Sequence, residues 1–272
     1  METLTTITRD GALRRFATEF LAFGLKQAAS CLFAGGFFLV LVVSTWLPPG
    51  PLPRYDLILV AAIVLQVLLL ATRLETLDEL KTICLFHVLG FALEVFKTHP
   101  AIGSWSYPEP GYTKLFGVPL YSGFMYAAVA SYMIQSWRWL DLELVRAPSP
   151  RLSALLAAAI YVNFFTHHWL PDLRWPLAAA LVVLFARTTV RFTPWRVRCA
   201  MPLALSFVLI GFFVWLAENI ATFFGAWLYP NQAAGWRVVH TGKIGSWILL
   251  ASITFVVVAD LKHYRARRRS QD

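Results

Sequence analysis

Eight mostly apolar stretches, most of them about 20 residues long, divide this chain, and nothing else in it limits the fold as tightly, because a run of that length crosses bilayer hydrocarbon as one helix. They run from about Phe16 to Thr45, Tyr55 to Thr72, Glu79 to Thr98, Val118 to Trp137, Leu152 to Trp169, Leu173 to Arg187, Cys199 to Phe224 and Thr241 to Leu261. The first is long enough to tilt and stops at Pro48-Pro49-Gly50-Pro51, a run that cannot continue a helix. The sixth is the shortest. Only 14% of the 272 residues are charged and 58% are hydrophobic, too little polar surface to face water all round. The class is therefore an all-α polytopic membrane protein with about eight transmembrane helices.

Charge then orients the helices. With an even number of spans both termini share one side, and that side collects seventeen of the 24 Lys and Arg; the other collects six, and Lys26 falls inside the first span. Positive residues mark the cytoplasmic face. The expectation is a multi-pass protein of the cell inner membrane with N- and C-termini cytoplasmic. The same placement explains the net charge of +9 without nucleic acid. Cys31, Cys84 and Cys199 are far apart in or beside apolar runs, so they read as small buried hydrophobes.

Two loops repeat one another. Glu94-Val95-Phe96-Lys97-Thr98 precedes Gly103-Ser104-Trp105-Ser106-Tyr107-Pro108, and Glu218-Asn219-Ile220-Ala221-Thr222 precedes Gly225-Ala226-Trp227-Leu228-Tyr229-Pro230. Both read Glu-x-x-x-Thr, a short spacer, then Gly-x-Trp-x-Tyr-Pro. The copies are offset by 124 residues at the glutamates and 122 at the Gly-x-Trp-x-Tyr-Pro. Each leaves the third helix of a set of four. That predicts two parallel four-helix repeats, residues 1–145 and 146–264, inside a single membrane domain 1–272, with 265–272 a basic cytoplasmic tail. Both loops then lie on the outer face. The glycine permits a tight helix exit, and the aromatic residues form a lid.

Ionisable groups inside a membrane are costly and face the bundle interior or water. Helical spacing puts His87, Glu94 and Lys97 or Thr98 on one stripe, and Trp215, Glu218 and Thr222 on another, with Asn219 adjacent. Glu94 and Glu218, with His87, are the candidate catalytic residues. Lys97, Thr98, Trp105, Tyr107, Tyr121, Trp215, Asn219, Thr222, Trp227, Tyr229, His240 and Lys243 are the candidate substrate pocket. Lys243 is the expected counter-charge to Glu218. Glu19 and Lys26, seven residues apart on the first helix, form a candidate intramembrane ion pair. Glu75, Asp78 and Glu79 read as a solvated helix start. No metal is expected, since adjacent His167 and His168 point apart on a helix and no His-x-x-x-His is present.

From Phe86 to Arg138 the chain closely resembles an uncharacterised bacterial integral-membrane family, domain of unknown function 817, through His87-Val88-Leu89-Gly90, Glu94-Val95-Phe96-Lys97-Thr98, Gly103-Ser104-Trp105-Ser106-Tyr107-Pro108-Glu109 and Gly117-Val118-Pro119-Leu120-Tyr121-Ser122-Gly123-Phe124-Met125-Tyr126. That resemblance implies no activity. The chain is also similar to heterodimer-type lycopene cyclases and related carotenoid-pathway membrane proteins in Glu94, Gly103-x-Trp105 and Gly117-Val118-Pro119. Those cyclases follow the proline with paired acids, where this chain has Tyr121-Ser122-Gly123, which argues against the same cyclisation.

These readings converge on a membrane enzyme acting on a lipid or isoprenoid substrate by acid/base chemistry in an outward-facing pocket. A small-solute or ion transporter and a non-catalytic membrane partner protein are the alternatives. The lipid bilayer is the expected partner. The sequence names no cofactor and sets no oligomeric state.

Overall fold

The computed structural model describes residues 9–48 and 50–269, with side chains from 11 to 262. About 65% of the described residues are helical. Nine α-helices occur among the described residues: α1 (Arg9–Ser30), α2 (Leu32–Ser44), α3 (Arg54–Ala71), α4 (Leu77–Thr98), α5 (Ser122–Trp139), α6 (Pro150–Thr166), α7 (Arg174–Phe185), α8 (Leu203–Phe223) and α9 (Lys243–Arg269). Each expected apolar stretch lands on helix, and the first lands on two. Local chemistry sets several starts. At α4, Thr76 accepts from the Glu79 N–H while Glu79 reaches back to the Thr76 N–H, a reciprocal cap. At α6, Ser149 accepts from the Leu152 N–H and Pro150 takes the first turn.

Three helices, Arg54–Ala71, Leu203–Phe223 and Lys243–Lys262, are long and apolar enough to cross a membrane, and a fourth span arises if α1 and α2 count as one. That is the helix composition of a membrane protein. Along α3 and α8 large apolar side chains remain exposed, Val60, Val64, Val67, Leu209, Phe213 and Ile220 among them. Helices apolar on every side are soaked by lipid rather than water.

The single tilted first span is corrected. α1 and α2 bend by 65° at Cys31. The Ser30 hydroxyl donates to the Lys26 carbonyl, a back-bond that bends helices. Beyond it, α2 packs on α3 while α1 packs on α5. The expected Glu19–Lys26 pair is also corrected. Both side chains turn to a β-hairpin instead: Glu19 accepts from the N–H groups of Trp195, Arg196 and Val197, and Lys26 Nζ donates to the Thr193 carbonyl at 2.9 Å.

That hairpin belongs to a sheet the sequence reading assigned to connectors and a helix start. β3 (Glu143–Val145), β4 (Thr189–Phe192) and β5 (Cys199–Pro202) are antiparallel in the order β3-β4-β5, with Val190 facing Leu144 on one side and Met201 on the other. It therefore takes Cys199 out of α8. A shorter pair, β1 (Lys114–Leu115) and β2 (Val118–Pro119), takes Val118 out of α5. The three-stranded sheet follows the C-terminal end of α5 and precedes α8, so it lies at the opposite end of the bundle from the repeated loops.

Two more expectations change. Glu75 and Glu79 are buried at 2% and 0% exposure rather than solvated. Gln66 and Ser131 donate to Glu75, while Arg138 (2.6 Å) and Lys262 (3.2 Å) pair with Glu79, so α3, α5 and α9 close over the start of α4. Cys84 is exposed on the apolar surface, and Cys31 and Cys199 are half-buried. The described part of the basic tail continues α9 as far as Arg269, and residues 270–272 lie outside the described residues.

The tightest helix pairs are α4 on α5 and α8 on α9, with α5 and α9 in contact between them. At Gly90 of α4 an added Cβ would lie 2.3 Å from the Tyr126 ring, so glycine is what lets α5 approach. The larger core runs through α4, α5, α6 and α9. A second core gathers Phe37, Tyr55, Tyr121, Trp227 and Tyr229 beneath the repeated loops.

Candidate functional site

The two Glu/Gly-x-Trp-x-Tyr-Pro segments fold alike and touch. The motif glycines, Gly103 and Gly225, both adopt left-handed backbone, with φ of 59° and 69°. This conformation is open to glycine and strained for other residues. In each copy the residue after that glycine donates its N–H to the carbonyl three residues past the glutamate: Ser104 to Lys97 and Ala226 to Ala221, both at 2.9 Å. In each copy the motif tyrosine donates to the glutamate, Tyr107 to Glu94 Oε2 at 2.8 Å and Tyr229 to Glu218 Oε1 at 2.5 Å. The two loops then meet in an antiparallel bridge, Ser106 and Leu228 exchanging both backbone hydrogen bonds at 2.9 Å. Those two residues hold the same place in the motif, between Trp and Tyr.

Neutral aromatic donors complete both carboxylates. Glu94 also accepts from Trp105 Nε1 (2.6 Å) and from the Tyr126 hydroxyl (2.7 Å, on Oε1). Glu218 accepts from Trp247 Nε1 at 2.7 Å. Tyr126 and Trp247 each sit four residues into the helix that follows the loop, α5 and α9. Burial, and then the Glu94 charge beside it, push the Tyr107 phenol well above its usual range; burial and Glu218 do the same to Tyr229. Both stay protonated donors at neutral pH. The lid is thus tied down to the acids, and Trp105 packs edge-on against Tyr229, ring centroids 6.0 Å apart.

Beneath this lid lies a cavity of about 150 Å³. Glu94, Glu218, Trp105, Tyr126, Trp227, Tyr229 and Trp247 line it, with Lys97, Lys243, Arg174 and His167 as its cationic and imidazole groups and Leu93, Phe164 and Leu250 as its apolar wall. Lys243 Nζ stands 4.8 Å from the ring centroids of both Trp105 and Tyr229, a cation–π contact with each. Lys97, at 6% exposure, places Nζ 2.7 Å from His168 Nε2 and 3.3 Å from His167 Nε2. His167 Nδ1 faces the Asn163 carbonyl at 2.8 Å, so Nδ1 carries the proton and Nε2 accepts from Lys97. Arg174 pairs with Asp172 at 2.6 Å, and that contact holds the Asp172 carboxyl down at about 2.

Of the expected site residues, Glu94, Glu218, Lys97, Trp105, Trp227, Tyr229 and Lys243 come together around one cavity. Its lining does not include His87, which packs edge-on to Phe124 and against Gly123. Tyr107 and Tyr121 lie behind the lid: Tyr107 bonds Glu94, and Tyr121 donates to the Ala226 carbonyl. Thr98 and Thr222 spend their hydroxyls on the Glu94 and Asn219 carbonyls. Trp215 and Asn219 hold the backbone of Val239, and His240 Nδ1 accepts from the Gly242 N–H. These residues serve helix ends and loops because their donors and acceptors find nearer backbone partners. Lys243 makes no direct ion pair with Glu218, whose oxygens the aromatic donors occupy, but Glu218 remains its nearest-acting counter-charge through space. Lys26 does not line this cavity. Among the described residues no group of three or more His, Cys, Asp or Glu is placed to hold a metal.

Tyr126, Trp247, Arg174 and His167 were missing from the expected pocket. The first two had a signal, an aromatic donor at the same depth of the helix after each loop. Arg54 was missed as well. From the start of α3 it donates to the Phe224 (2.6 Å) and Gly225 (3.3 Å) carbonyls, which end α8, and pairs with Glu109 of the first loop at 2.6 Å.

Residues 19–255 match a family described as Protein of unknown function (DUF817). The chain belongs to this family. A DUF817 relative, the "Uncharacterized protein YoaT" of Bacillus subtilis (strain 168), is 53% identical over 251 residues, covering 92% of this chain and 94% of the relative. Neither match extends the resemblance to lycopene cyclases. No solved structure matches. The DUF817 match takes in α4, α5 and α8 and both repeated loops whole, so the cavity lies within the family region.

Proposed function

We propose that this DUF817 protein is a multi-pass membrane enzyme that moves protons on a lipid or isoprenoid substrate in an outward-facing cavity, with Glu94 and Glu218 as its acid/base groups. The observation that carries the reading is the convergence of two buried carboxylates, each bonded to a phenol, on one small cavity. A carboxylate–phenol pair relays a proton without moving a heavy atom. The substrate gives a proton to the Tyr126 oxygen as the phenol proton passes to Glu94, and the reverse sequence returns it. Tyr229 and Glu218 form the matching pair. The apolar wall of Leu93, Phe164 and Leu250 suits the hydrocarbon part of an amphiphile.

The architecture proposed with it is eight spans in two parallel halves, residues 1–145 and 146–264, with α1–α2 as the first span. Packing supports the halves: α2 lies on α3 as α6 lies on α7, α2 meets α5 as α6 meets α9, and α4 pairs with α5 as α8 pairs with α9. The bridge between equivalent residues Ser106 and Leu228 is the contact a two-fold axis makes with itself. The three-stranded sheet and both termini are assigned to the cytoplasmic face of the inner membrane, where Arg187, Arg191, Arg196 and Arg198 cluster.

Lipid and pigment profiling of a deletion strain tests the reading. A compound should accumulate in the deletion, disappear on complementation with the wild-type gene, and persist with Glu94→Gln or Glu218→Gln at normal protein level. Full rescue by both variants would exclude acid/base chemistry at these residues.

A further inference from the structure

The cavity holds opposite charges that do not pair. Glu94 and Glu218 line it together with Lys97 and Lys243, yet among the described residues neither lysine has a carboxylate oxygen within 4.0 Å. Both oxygens of each glutamate are occupied by indole and phenol donors. The direct contacts of the lysines are softer, two imidazole nitrogens for Lys97 and two aromatic rings for Lys243, and the carboxylates act on them only through space. Arg174 already has Asp172. A carboxylate with a donor already on each oxygen has less left to offer a ligand. An ammonium carries three N–H donors, and an imidazole or a ring face leaves its charge uncancelled. What this cavity lacks is therefore an anion in direct contact with either lysine.

We infer that the cavity binds an oxyanion, a phosphate or carboxylate borne by the ligand, between Nζ of Lys97 and Nζ of Lys243. The inference deepens the proposed enzyme reading: the substrate is an amphiphile with an anionic head, held by the lysines while its reacting carbon or oxygen faces the Glu94–Tyr126 pair. The cavity's volume of about 150 Å³ suits a head of a few heavy atoms, being comparable to a cavity that admits benzene. The neutral imidazoles solvate Lys97 in the empty site and give way when the anion arrives. The same chemistry serves a free phosphate or an anionic lipid head, and the experiment separates them.

The full-length protein in nanodiscs of phosphatidylcholine is titrated with inorganic phosphate, acetate and tetramethylammonium chloride at constant ionic strength. Tryptophan fluorescence is the readout, because Trp105, Trp227 and Trp247 line the site. A second arm replaces part of the lipid with phosphatidylglycerol. Saturable response to phosphate or acetate, weakened at least tenfold in Lys97→Gln and Lys243→Gln but retained in Lys97→Arg and Lys243→Arg, is expected. A response to the soluble anions in pure phosphatidylcholine assigns the site to a free oxyanion; competition by phosphatidylglycerol assigns it to a lipid head. A response to tetramethylammonium alone, or anion affinity unchanged in both Gln variants, would overturn the inference. The Arg variants keep the charge and report on folding. Glu94→Gln separates the two proposals: anion binding with full complementation by Glu94→Gln and Glu218→Gln refutes the acid/base chemistry and keeps the anion site, whereas no anion binding with failed complementation does the reverse.

Discussion

Replacing Glu94 by leucine should be among the most damaging single changes in the protein, and the structure says why. At 2% exposure Glu94 accepts from Trp105, Tyr107 and Tyr126. Leucine fills much of the volume and accepts nothing, so two buried donors, Tyr107 and Tyr126, and the half-buried Trp105 lose their partner. Each orphaned donor costs about 1–3 kcal/mol, for ~3–9 kcal/mol in all. Total stabilities run to about 5–15 kcal/mol. Glu218→Leu orphans two donors, Tyr229 and Trp247, for ~2–6 kcal/mol. Glutamine differs. Its oxygen takes the place of Oε2 and keeps Trp105 and Tyr107, while its NH₂ faces the Tyr126 hydroxyl, which turns to accept, for a loss of about 1 kcal/mol. A second substitution checks the mechanism: Tyr126→Phe added to Glu94→Leu removes one orphan and should recover about 1–3 kcal/mol, whereas alone it destabilises. Reversible unfolding in mixed micelles measures all five variants. Equal losses for Glu94→Leu and Glu94→Gln, or strict additivity of Glu94→Leu with Tyr126→Phe, would refute the reasoning.

Gly90→Ala puts a methyl 2.3 Å from the Tyr126 ring, and should cost about 1–3 kcal/mol by overpacking and displace Tyr126 from Glu94; unfolding and complementation should fail together. Arg54→Ala should lose about 1–3 kcal/mol by freeing the half-buried Glu109 and the Phe224 and Gly225 carbonyls just past α8, with Arg54→Lys a poor substitute because it lacks the planar fork; thermal denaturation compares the three proteins. Glu19→Ala should speed hydrogen exchange at Trp195, Arg196 and Val197, whose N–H groups it holds, while leaving α4 unchanged. Asp172, held at about 2 against a usual 3.8, contributes stability above about pH 4 that is lost as pH falls toward 2. The difference in melting temperature between wild type and Asp172→Asn should therefore be constant above pH 4 and close between pH 4 and pH 2.

Much of this was legible in the chain. Apolar length located helix in all eight segments, of which three, or four with the bent α1–α2 pair, are long and apolar enough to cross a membrane. The shared Glu, Gly, Trp and Tyr placed the two loops side by side, because the same residues at the same helix end make the same turn and the same carboxylate bond. What failed was decided by hairpins inside apolar runs and by contacts far apart in sequence. Cys199 and Val118 sit in apolar runs, and short antiparallel pairing with Phe192 and Leu115 takes them out of helices. Glu19 and Lys26 look like a pair until the hairpin supplies backbone partners to both. Glu218 and Lys243 have opposite charges at neighbouring helix ends, and no spacing rule reveals that Tyr229 and Trp247 reach the carboxylate first. His87 shares a helical stripe with Glu94, but α5 covers the stripe at Gly123 and so separates the two.

The central claim, one outward-facing cavity built by both repeated loops, is tested most directly by cysteine accessibility in intact cells. Ser104 of the first loop and Ser246 of α9 both line the cavity. Ser104→Cys and Ser246→Cys, each in a background with Cys31, Cys84 and Cys199 changed to serine, should react with a membrane-impermeant maleimide added from outside. The double variant should be bridged within one chain by a short bifunctional thiol reagent. Labelling only after the cytoplasmic face is opened, or two accessible cysteines that no short reagent can join, would contradict the account.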